Sequence, residues 1–454
     1  MTSVSDDNII VYTFGCRMNT FESQCIHNIM KDIGMKNVVL INTCAVTSES
    51  ERQVRQEVRK LQKQYPDYCM ILTGCSSQLR SDFFIDKLNV DFVISNEFKL
   101  KRWAYEMINQ WIVNRKKKQK DDNSIKTEKY KIQQKLFPEE NTSNVSKCKS
   151  QIDDNDWEYI YNFNDKSRAF VPIQTGCNHY CSFCIVPFTR GQFKSYNPNH
   201  IIEQIKIFVD NGYNEVVLTG IDITDYGKDV KNKQDIDTLG KLCRAILKNT
   251  KLPRLRLSSV DVAEIDEDII DLVANEQRFM PYFHISLQSG SNSVLKRMRR
   301  RHTYDDVEKF CSKVLKFRKE CAFGADIIAG FPGETEEEFL QSVKIVNNAP
   351  ITFVHAFPYS KREKTLASLM DDNVPKKIKK ERVSTLINIG SENLQKMYKE
   401  MSGTMQKVLI ERDGFCRAEN FVRIKIESPK KYNNGSIVET KVVLNNDKNL
   451  LFIK

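Results

Sequence analysis

The chain has 454 residues, 40% of them hydrophobic, which is enough for two or three domains with a large core and excludes a small scaffold that depends on disulfides. Lys and Arg outnumber Asp and Glu by 70 to 59, and the net charge of +11 suits a polyanionic partner such as RNA without identifying one. The polar start of the sequence and the lack of a run of about 18 apolar residues argue against a secretory signal and a membrane span, so we expect a cytoplasmic protein whose 13 cysteines stay reduced.

The first 114 residues alternate β-type apolar runs with amphipathic helical patterns. Such alternation predicts an α/β domain with a parallel sheet, similar to flavodoxin or Rossmann domains, whose functional edge lies at the carboxyl ends of the strands. The predicted strands are Ile9–Phe14, Val38–Asn42, Cys69–Thr73 and Asp91–Ile94, and the predicted helices lie near Glu22–Ile33, Glu49–Gln64, Phe83–Leu88 and Leu100–Val113. Residues 1–114 are therefore defined as the first domain.

Residues 115–156 are polar and charged and show no apolar period, so they are interpreted as a charged linker or insertion. The stretch "RKKKQK" could contact RNA or direct nuclear import, but a solvated segment explains its composition more simply. No function is assigned to it.

A longer βα series fills residues 157–400 and predicts a partial (β/α)6 barrel with its chemistry at the carboxyl ends of the strands. Its predicted strands are Phe170–Gln174, Glu215–Leu218, Leu255–Ser258, Phe283–Leu287, Ala325–Ile328 and Phe353–Phe357. A helix over Pro375–Lys399 follows the barrel. Residues 401–454 contain short β-type runs broken by "RDG" and "SPKKYNNG", which predict a small antiparallel β-barrel.

The motif "GCNHYCSFC" places Cys177, Cys181 and Cys184 directly after the first strand of this second series. Three thiolates on one tight loop can hold three irons of a [4Fe-4S] cluster and leave the fourth iron open for a substrate or cofactor. A structural zinc ion would need a fourth ligand, which His179 could supply. The position of the motif after a barrel strand favours the iron–sulfur cluster.

With this motif the sequence resembles the radical S-adenosylmethionine (SAM) superfamily, in which such a cluster binds SAM at its open iron and cleaves it to a radical. The stretches "VVLTGID", "HISLQSGS" and "ADIIAGFPGET" are similar to the segments with which that superfamily contacts SAM. Each stretch alone is a weak indicator, because a glycine after a strand is usually only a turn. Together they imply SAM-site roles for Phe183, Thr219, Gly220, Asp222, Ser286, Gln288, Ser289, Asp326 and Glu334.

Three further cysteines occupy equivalent positions in the first domain. Cys16, Cys44 and Cys75 each follow a predicted strand, at spacings of 28 and 31 residues that match one βα unit each. Residues just past successive parallel strands converge at one sheet edge, so a second three-cysteine cluster explains all three positions. Two alternatives to a cluster are a dinucleotide site, which would need a G-x-G-x-x-G turn, and a thiol nucleophile, which would need a base such as His27. Ordinary core thiols are the remaining alternative and are the interpretation given to Cys25, Cys69, Cys148, Cys243, Cys311, Cys321 and Cys416.

Both cysteine sets together narrow the resemblance to the methylthiotransferases of the radical SAM superfamily, over nearly the whole chain. "TFGCRMNTFES", "INTCAVTSESERQVRQ", "GCNHYCSFCIVPFTRG" and "GFPGETEEEF" look like signatures of that family, and the C-terminal barrel is similar to its OB-like TRAM module. "FPYSKR" and "RMRRRHT" look most like the branch that acts on N6-threonylcarbamoyladenosine in tRNA. The isopentenyladenosine and ribosomal-protein branches are the runners-up. After "YSKR" the family's Gly-Thr-Pro turn is replaced by "EKTLASLM", which keeps only Thr365.

The resemblance also implies the chemistry. One SAM molecule would methylate a sulfur held at the cluster of Cys16, Cys44 and Cys75. A second SAM molecule, cleaved at the other cluster, would give the radical that takes hydrogen from C2 of the adenine. The implied cofactors are thus two [4Fe-4S] clusters and two SAM molecules per turnover, with no side chain acting as a general acid or base. The implied partners are tRNA, an electron donor of the flavodoxin or ferredoxin type and a sulfur donor, and a monomer is expected.

The distribution of charge agrees with an RNA substrate. Residues 401–454 carry 10 Lys plus Arg against 6 Asp plus Glu, whereas a basic ribosomal-protein target would favour an acidic module. The predicted phosphate contacts are Arg297, Arg299, Arg300, Arg301, Arg412, Arg417, Arg423, Lys425, Lys430 and Lys431. For any single one of them a solvated surface is an equally good explanation. Two other functions stay open at this point, a non-catalytic iron–sulfur RNA-binding protein and a radical SAM enzyme of another type, such as a methylase.

Overall fold

A computed structural model of the chain describes residues 2–6, 8–117, 123–138, 157–163, 166–229, 236–445 and 447–453. These residues form an N-terminal α/β unit, a central unit of parallel strands and a small C-terminal β unit. The predicted fold class, with its three kinds of unit in this order, is confirmed. Within the described residues, no helix combines the length and hydrophobicity that a membrane crossing requires.

The N-terminal unit is a five-stranded sheet with helices on both faces. Its elements are β1 Thr2–Asp6, β2 Ile9–Thr13, α1 Arg17–Asp32, β3 Val38–Thr43, α2 Ser48–Gln64, β4 Cys69–Gly74, α3 Cys75–Leu79, a π-helical turn Phe83–Lys87, β5 Phe92–Val93, α4 Arg102–Lys117 and α5 Asn123–Leu136. The strand order is β1-β2-β3-β4-β5, and all pairs except β1 with β2 are parallel. Every residue of β3 and β4 is buried, because α1, α4 and α5 cover one face of the sheet and α2 covers the other.

Part of the predicted linker is folded, which differs from the expectation for residues 115–156. Helix α4 continues to Lys117, and α5 buries Ile125, Ile132 and Leu136 against the first sheet. The side chain of Gln133 also exchanges two hydrogen bonds of 2.9 Å with the backbone of Val93 in β5. The apolar residues of α5 share one helical face, but the charged residues between them conceal this pattern. The rest of the segment lies outside the described residues.

The central unit is a partial barrel. Its elements are β6 Ala169–Pro172, β7 Gln174–Thr175, α6 Val186–Arg190, β8 Lys194–Ser195, α7 Pro198–Asp210, β9 Glu215–Thr219, α8 Leu239–Asn249, β10 Arg254–Leu257, β11 Ser259–Val260, α9 Glu267–Asn275, β12 Tyr282–Gln288, α10 Asn292–Met298, α11 Tyr304–Phe317, β13 Ala322–Ala329, α12 Glu336–Asn348 and β14 Ile351–Pro358. The wall consists of two parallel sheets, β6-β9-β10 and β11-β12-β13-β14, which adjoin where β10 leads into β11. The predicted partial barrel is thereby confirmed.

The C-terminal unit follows a long helix, α13 Lys376–Met401, which packs along β14. Its strands are β15 Met405–Ile410, β16 Phe415–Ala418, β17 Arg423–Ile426, β18 Ile437–Lys441, β19 Val443–Asn445 and β20 Leu450–Ile453. They form a mainly antiparallel sheet in the order β18-β15-β16-β17-β20-β19. In β17, Ile424 and Ile426 enter the core while Arg423 and Lys425 are exposed, as expected for a strand with one solvated face.

A buried carboxylate, Glu215 at the start of β9, holds the barrel and the C-terminal unit together. Arg256 binds it through two nitrogens at 2.9 and 3.1 Å, and Arg168 approaches it to 3.5 Å. Arg256 also donates a 3.0 Å hydrogen bond to the carbonyl oxygen of Glu419 in the C-terminal unit. Burial alone would raise the pKa of Glu215, but the charges of Arg256 and Arg168 overcome it and lower the pKa to about 2.

We expect Glu215→Gln to destabilise the protein at neutral pH by about 3–5 kcal/mol, because it leaves buried guanidinium groups without their counter-charge. The ordinary pKa of a glutamate is near 4.5, so the stabilisation from Glu215 is present above that pH and is lost as the pH falls towards about 2. Wild-type stability should therefore fall over this window, and the variant should lack that part of the fall. Urea unfolding at neutral and acidic pH measures both effects.

The control is Glu267→Gln, because the side chain of Glu267 is 84% exposed. It should leave the free energy of unfolding within about 0.5 kcal/mol of wild type. Equal stability of Glu215→Gln and wild type at neutral pH would contradict the role given to Glu215.

Candidate metal centres and cavity

The structure brings together the three cysteines of the first domain at one edge of its sheet. Cys16 directly precedes α1, Cys44 directly follows β3, and Cys75 opens α3 directly after β4. The strands before them are parallel neighbours, so their carboxyl ends lie side by side. Burial raises the pKa of the Cys44 thiol to about 12, and the neighbouring thiols of Cys75 and Cys16 add to the rise.

Two glycines leave space beside these thiols. At Gly15, which has φ +95°, a Cβ would lie 2.8 Å from Cys44 Sγ. At Gly74, also at φ +95°, a Cβ would lie 2.4 Å from the carbonyl oxygen of Thr43. The trio is not among the groups of the described residues whose ligand atoms all lie within 4.8 Å of one another, so at least two of its sulfurs are farther apart than that. A single tetrahedral zinc ion would hold its thiolates about 3.8 Å apart, so the wider spacing fits a multi-iron cluster better.

Asn19, in the first turn of α1, sets the separation of the first two cysteine segments. Its Nδ2 donates to the carbonyl oxygens of Phe14 at 2.7 Å and Thr43 at 3.1 Å. Its Oδ1 lies 3.9 Å from Cys16 Sγ. Because Phe14 and Thr43 immediately precede the turns that carry Cys16 and Cys44, one amide positions both. The sequence analysis did not single out this residue.

The second cysteine set lies on one loop between β7 and α6. The loop turns tightly, since the N–H of Cys184 donates to the carbonyl oxygen of Cys181 at 2.9 Å. The N–H of Ser182 donates to the carbonyl oxygen of Met298 at 3.0 Å, which fixes the loop to the end of α10. Phe183 packs into the same small core as Met298. The loop is therefore held against the end of α10 by a backbone hydrogen bond and by the packing of Phe183.

His179 in this loop is engaged by two carboxylates rather than standing free as a ligand. Its Nε2 contacts Asp222 and lies 2.9 Å from Asp225 Oδ2, and these hydrogen bonds raise the pKa of His179 to about 9. The ligand atoms of Cys177, His179 and Asp222 do lie within 4.8 Å of one another. A zinc ion there would leave the other two loop cysteines unused, and His179 would have to give up its hydrogen bonds to Asp222 and Asp225 to bind it. The geometry thus favours the cluster over the zinc alternative.

Arg300, a predicted RNA contact, lies beside this loop and not on the outer surface. Its Nη1 lies 3.5 Å from Cys181 Sγ, and its Nη2 donates to Asp261 at 2.8 Å and to the carbonyl oxygen of Ser286 at 3.0 Å. Only 9% of the side chain is exposed. A guanidinium in this position stabilises the thiolate of Cys181 and any anionic cluster bound to it.

Some of the residues predicted to contact SAM line a cavity at the mouth of the barrel, namely Thr219, Gly220 and Asp326. The turn after Thr219 is shaped by Gln174, whose Oε1 accepts 2.9 Å hydrogen bonds from the N–H groups of Ile221 and Asp222. A Cβ on Gly220 would lie 2.8 Å from that same oxygen. A glycine is therefore needed where the backbone passes closest to Gln174.

The other predicted SAM residues have local roles in the structure. The carbonyl of Ser286 accepts from Arg300, and Gln288 has a left-handed φ of +65° at the end of β12. Ser289 is buried and accepts a 3.2 Å hydrogen bond from the N–H of Ser291. Glu334 is buried and accepts from the N–H of Gly330 at 2.6 Å, which closes the glycine-rich turn after β13.

One cavity of about 1860 Å³ is lined by residues of all three units. It is larger than an ordinary small-molecule site of about 300–1,000 Å³, so it has room for a residue of a macromolecule beside a cofactor. The lining includes Cys16, Cys44, Thr219, Gly220, Ser258, His284, Asp326, His355, Lys361, Lys380, Arg417, Phe421 and Arg423.

Two histidines face this cavity on either side of Asp326, an arrangement that the sequence analysis missed. His284 Nε2 lies 3.1 Å and His355 Nδ1 lies 3.4 Å from Asp326 Oδ1. Tyr282 shares a 3.0 Å hydrogen bond with the other ring nitrogen of His284. The three residues stand on the adjacent strands β12, β13 and β14, so their order across the wall brings them together.

The motif "FPYSKR" meets the first domain. Ser360 Oγ lies 2.6 Å from Ser48 Oγ, and Arg362 forms a buried ion pair with Glu51. Ser48 and Glu51 belong to another of the signature stretches, so the two motifs are contact partners across the domain boundary. Thr365, the one residue kept from the family's usual turn, donates through Oγ1 to the carbonyl oxygen of Arg362 at 2.7 Å.

The predicted RNA contacts fall into two sets. Those on the exposed surface are Arg299, Arg301, Arg412, Arg423, Lys425, Lys430 and Lys431. Arg297 is half-buried and binds Glu338 through two nitrogens at 2.9 and 2.8 Å. Arg417 lies 4.2 Å from the ring centroid of Phe421 and lines the cavity. Arg417 and Arg423 therefore connect the basic surface of the C-terminal unit with the cavity.

Two family models match the chain, one described as "Radical SAM superfamily" over residues 171–346 and one described as "Uncharacterized protein family UPF0004" over residues 8–95. The chain is 39% identical to the "Threonylcarbamoyladenosine tRNA methylthiotransferase MtaB" of Rickettsia prowazekii (strain Madrid E), covering 95% of this chain and 94% of that protein. The protein of the same name from Bacillus subtilis (strain 168) is 32% identical, at 96% and 93% coverage. The "tRNA-2-methylthio-N(6)-dimethylallyladenosine synthase" of Clostridium novyi (strain NT) is 29% identical, at 90% and 86% coverage.

We expect Gly176→Ala to displace the loop of Cys177, Cys181 and Cys184. Gly176 has φ +67°, and a Cβ there would lie 1.9 Å from the carbonyl oxygen of Gln192, so the backbone must move. The variant should lose at least half of the iron bound at this loop and about 2 kcal/mol of stability. Anaerobic reconstitution with iron and sulfide, followed by metal analysis and thermal unfolding, measures both effects.

Gly212→Ala is the matched control, because Gly212 has φ +86° but no atom within 4 Å of its would-be Cβ. It should show the strain of the left-handed backbone without loss of iron. Equal iron content in both variants would contradict the tight fit assigned to Gly176.

Proposed function

The chain belongs to the radical SAM methylthiotransferase family, and on that premise we propose that it converts N6-threonylcarbamoyladenosine at position 37 of tRNA, next to the anticodon, to its 2-methylthio derivative. The observation that carries the proposal is the single cavity that joins Cys16 and Cys44 to the strand ends of the barrel and to the C-terminal unit. Sulfur transfer, radical formation and RNA binding need such a common space, because all three act on one base.

The similarity to named relatives supports this choice of modified base. The relatives at 39% and 32% identity are named for threonylcarbamoyladenosine, whereas the one named for dimethylallyladenosine is 29% identical. The isopentenyladenosine branch is the second candidate.

Both cysteine trios fit a [4Fe-4S] cluster held by three thiolates. With SAM bound at its open iron, a cluster at the barrel loop would supply the electron that cleaves SAM to methionine and the radical that takes hydrogen from C2 of the adenine. Thr219 and Gly220 line the cavity just before Asp222, which lies 3.9 Å from Cys177 Sγ, and they would border the SAM molecule, while Arg300 would balance the charge of the Cys181 thiolate. Cys16 and Cys44 open to the same cavity and would hold the cluster that carries the transferred sulfur.

The polar lining of the cavity favours the threonylcarbamoyl group over an isopentenyl group. A threonylcarbamoyl group bears a carboxylate and several hydrogen-bonding atoms, which need donors in the pocket. His284 and His355 beside Asp326 offer such donors, and Lys361 and Lys380 add positive charge to the lining. An apolar isopentenyl group has no acceptor atoms for His355, Lys361 or Lys380, so it would gain none of these interactions.

The tRNA is proposed to lie along the basic face of the C-terminal unit. Phosphate contacts would come from its exposed basic side chains, which are Arg412, Arg423, Lys425, Lys430 and Lys431. Phe421, with Arg417 over its ring, offers an aromatic surface for a base at the cavity. We further propose that the enzyme works as a monomer in the cytoplasm, with an electron donor of the flavodoxin or ferredoxin type and a separate sulfur donor.

Deletion of the gene should remove 2-methylthio-N6-threonylcarbamoyladenosine from cellular tRNA and leave N6-threonylcarbamoyladenosine in its place. Complementation with His355→Phe should restore the methylthio form to less than about a tenth of the wild-type level, because the donor beside Asp326 is lost. Liquid chromatography with mass spectrometry of tRNA nucleosides measures both. Unchanged methylthio-threonylcarbamoyladenosine in the deletion strain would refute the proposal, and loss of the methylthio-isopentenyl form instead would support the second candidate.

Anaerobically reconstituted wild-type protein should hold about eight irons and eight sulfides per chain, as expected for two four-iron clusters. Cys16→Ser and Cys177→Ser should each hold about four irons, because each removes a ligand from one cluster only. Cys311→Ala is the control, because its thiol is buried in the barrel core. A wild-type content of about four irons would instead favour the non-catalytic RNA-binding protein with a single cluster.

A further inference from the structure

Arg190 projects from the barrel unit into the first domain, where it is fully buried. It ends α6, the short helix that directly follows the loop of Cys177, Cys181 and Cys184. Its Nη1 and Nη2 bind Glu22 of α1 at 2.8 and 3.1 Å. Only 1% of its side chain is exposed.

Glu22 also binds a second buried cation. Lys99 Nζ lies 2.7 Å from Glu22 Oε2 and donates to Asn96 Oδ1 at 2.9 Å, and its side chain is 3% exposed. Asn96 in turn donates through Nδ2 to the carbonyl oxygen of Thr189 at 2.7 Å, next to Arg190. The Arg190–Glu22–Lys99 group therefore spans the junction of the two units in a closed network.

The formal charge of this buried group is +1, because two cations share one carboxylate. The charges of Arg190 and Lys99 overcome the effect of burial and lower the pKa of Glu22 to about 2, so the carboxylate is ionised. The pKa of Lys99 is lowered, first by burial and then by the charge of Arg190, even though Glu22 is in contact with it. A further negative charge nearby would stabilise the group.

With a cluster bound, the thiolates of the first domain would supply that neighbouring negative charge. Asn19 Oδ1 accepts from Arg190 Nη2 at 2.6 Å and lies 3.9 Å from Cys16 Sγ, so one atom joins the cation to the thiol. Burial would lower the pKa of Arg190, but Glu22, and after it Cys75 and Cys16, raise it. Cys75 likewise acts to raise the pKa of Lys99. The group is thus joined to Cys16 through Asn19, and its three side chains are not among those that line the cavity.

A [4Fe-4S]2+ core with three thiolates carries one net negative charge, and a second on reduction. A fixed positive charge beside it stabilises the reduced form more than the oxidised form and so raises the reduction potential.

We propose that Arg190 and Lys99, held in place by Glu22, are positioning residues that compensate the charge of the cluster at Cys16, Cys44 and Cys75 and set its reduction potential. This inference rests on the proposed function, because it takes the cluster from that proposal. The "TRG" end of the barrel motif would thus act at the other metal centre. Arg190 follows the loop that carries one cluster and would stabilise the second cluster.

The test uses the full-length chain with Cys177, Cys181 and Cys184 replaced by Ala, so that only the first-domain cluster can form. Lys99→Met removes one positive charge and Glu22→Gln removes the negative charge, so the two variants should change the potential in opposite directions. We expect the equilibrium constant for one-electron reduction to fall at least tenfold in Lys99→Met and to rise in Glu22→Gln, where tenfold corresponds to 59 mV. An anaerobic redox titration followed by electron paramagnetic resonance measures this constant.

Glu267→Gln is the matched control, because it removes the same carboxylate charge from a side chain that is 84% exposed. It should leave the constant within about twofold of the parent, since exposed charges are screened by solvent and salt. If Lys99→Met does not fold, Lys99→Gln keeps the hydrogen bond to Asn96 and tests the same loss of charge.

The inference would be wrong if the constants shift in the same direction in Lys99→Met and Glu22→Gln, or if both stay within twofold of the parent. Neither result would contradict the presence of the cluster. A parent that binds no iron would overturn the proposed function as well, and this result is distinct because it precedes any change at Lys99.

Discussion

The chemistry of this protein depends on holding the carboxyl edge of the first sheet against the mouth of the barrel, and buried ion pairs fix that contact. Glu22 meets Arg190 and Glu51 meets Arg362, across 168 and 311 positions of the chain. A buried charge without its partner costs several kcal/mol, so a shift of one unit against the other is unfavourable in any direction. A well-packed apolar contact could match the net stability of such a pair but would tolerate sliding. The ion pairs therefore determine the position of the units more than they add stability.

The same arrangement recurs at the boundary between the barrel and the C-terminal unit. Glu215 of the barrel is surrounded by arginines, and Arg256 reaches from it to the backbone of the C-terminal unit. At both boundaries a buried carboxylate thus binds a guanidinium that extends across the junction. This arrangement explains why the arginines are among the largest fully buried side chains of the described residues. Their charge also serves the site, because an interior rich in guanidinium groups accommodates anionic clusters and an anionic substrate.

The fold and the two cysteine trios could be predicted because both depend on local periodicity. Strand lengths, the βα spacing and the position of each cysteine just past a strand are visible in the sequence, and parallel neighbours bring such residues to one edge. The isolated core cysteines, such as Cys243 and Cys311, also proved to be buried as predicted. Helix α5 was missed because its apolar residues are few and lie among charges, so that only the neighbouring sheet stabilises it.

The group around Asp326 shows where local periodicity stops being sufficient. Asp326 pairs with His355 across β13 and β14, and His284 pairs with Gly324 across β12 and β13. These contacts depend on strand order and register. The register between β12 and β13 shifts after Ile285, and no sequence motif indicates this shift. A slip of one residue would move each side chain to the opposite face of its strand. Gly324 contributes by having no side chain, since a Cβ there would lie 2.5 Å from His284 Nδ1. The positions of the cysteines are therefore set by local spacing, whereas the positions of the residues proposed to face the substrate are set by the packing of whole strands.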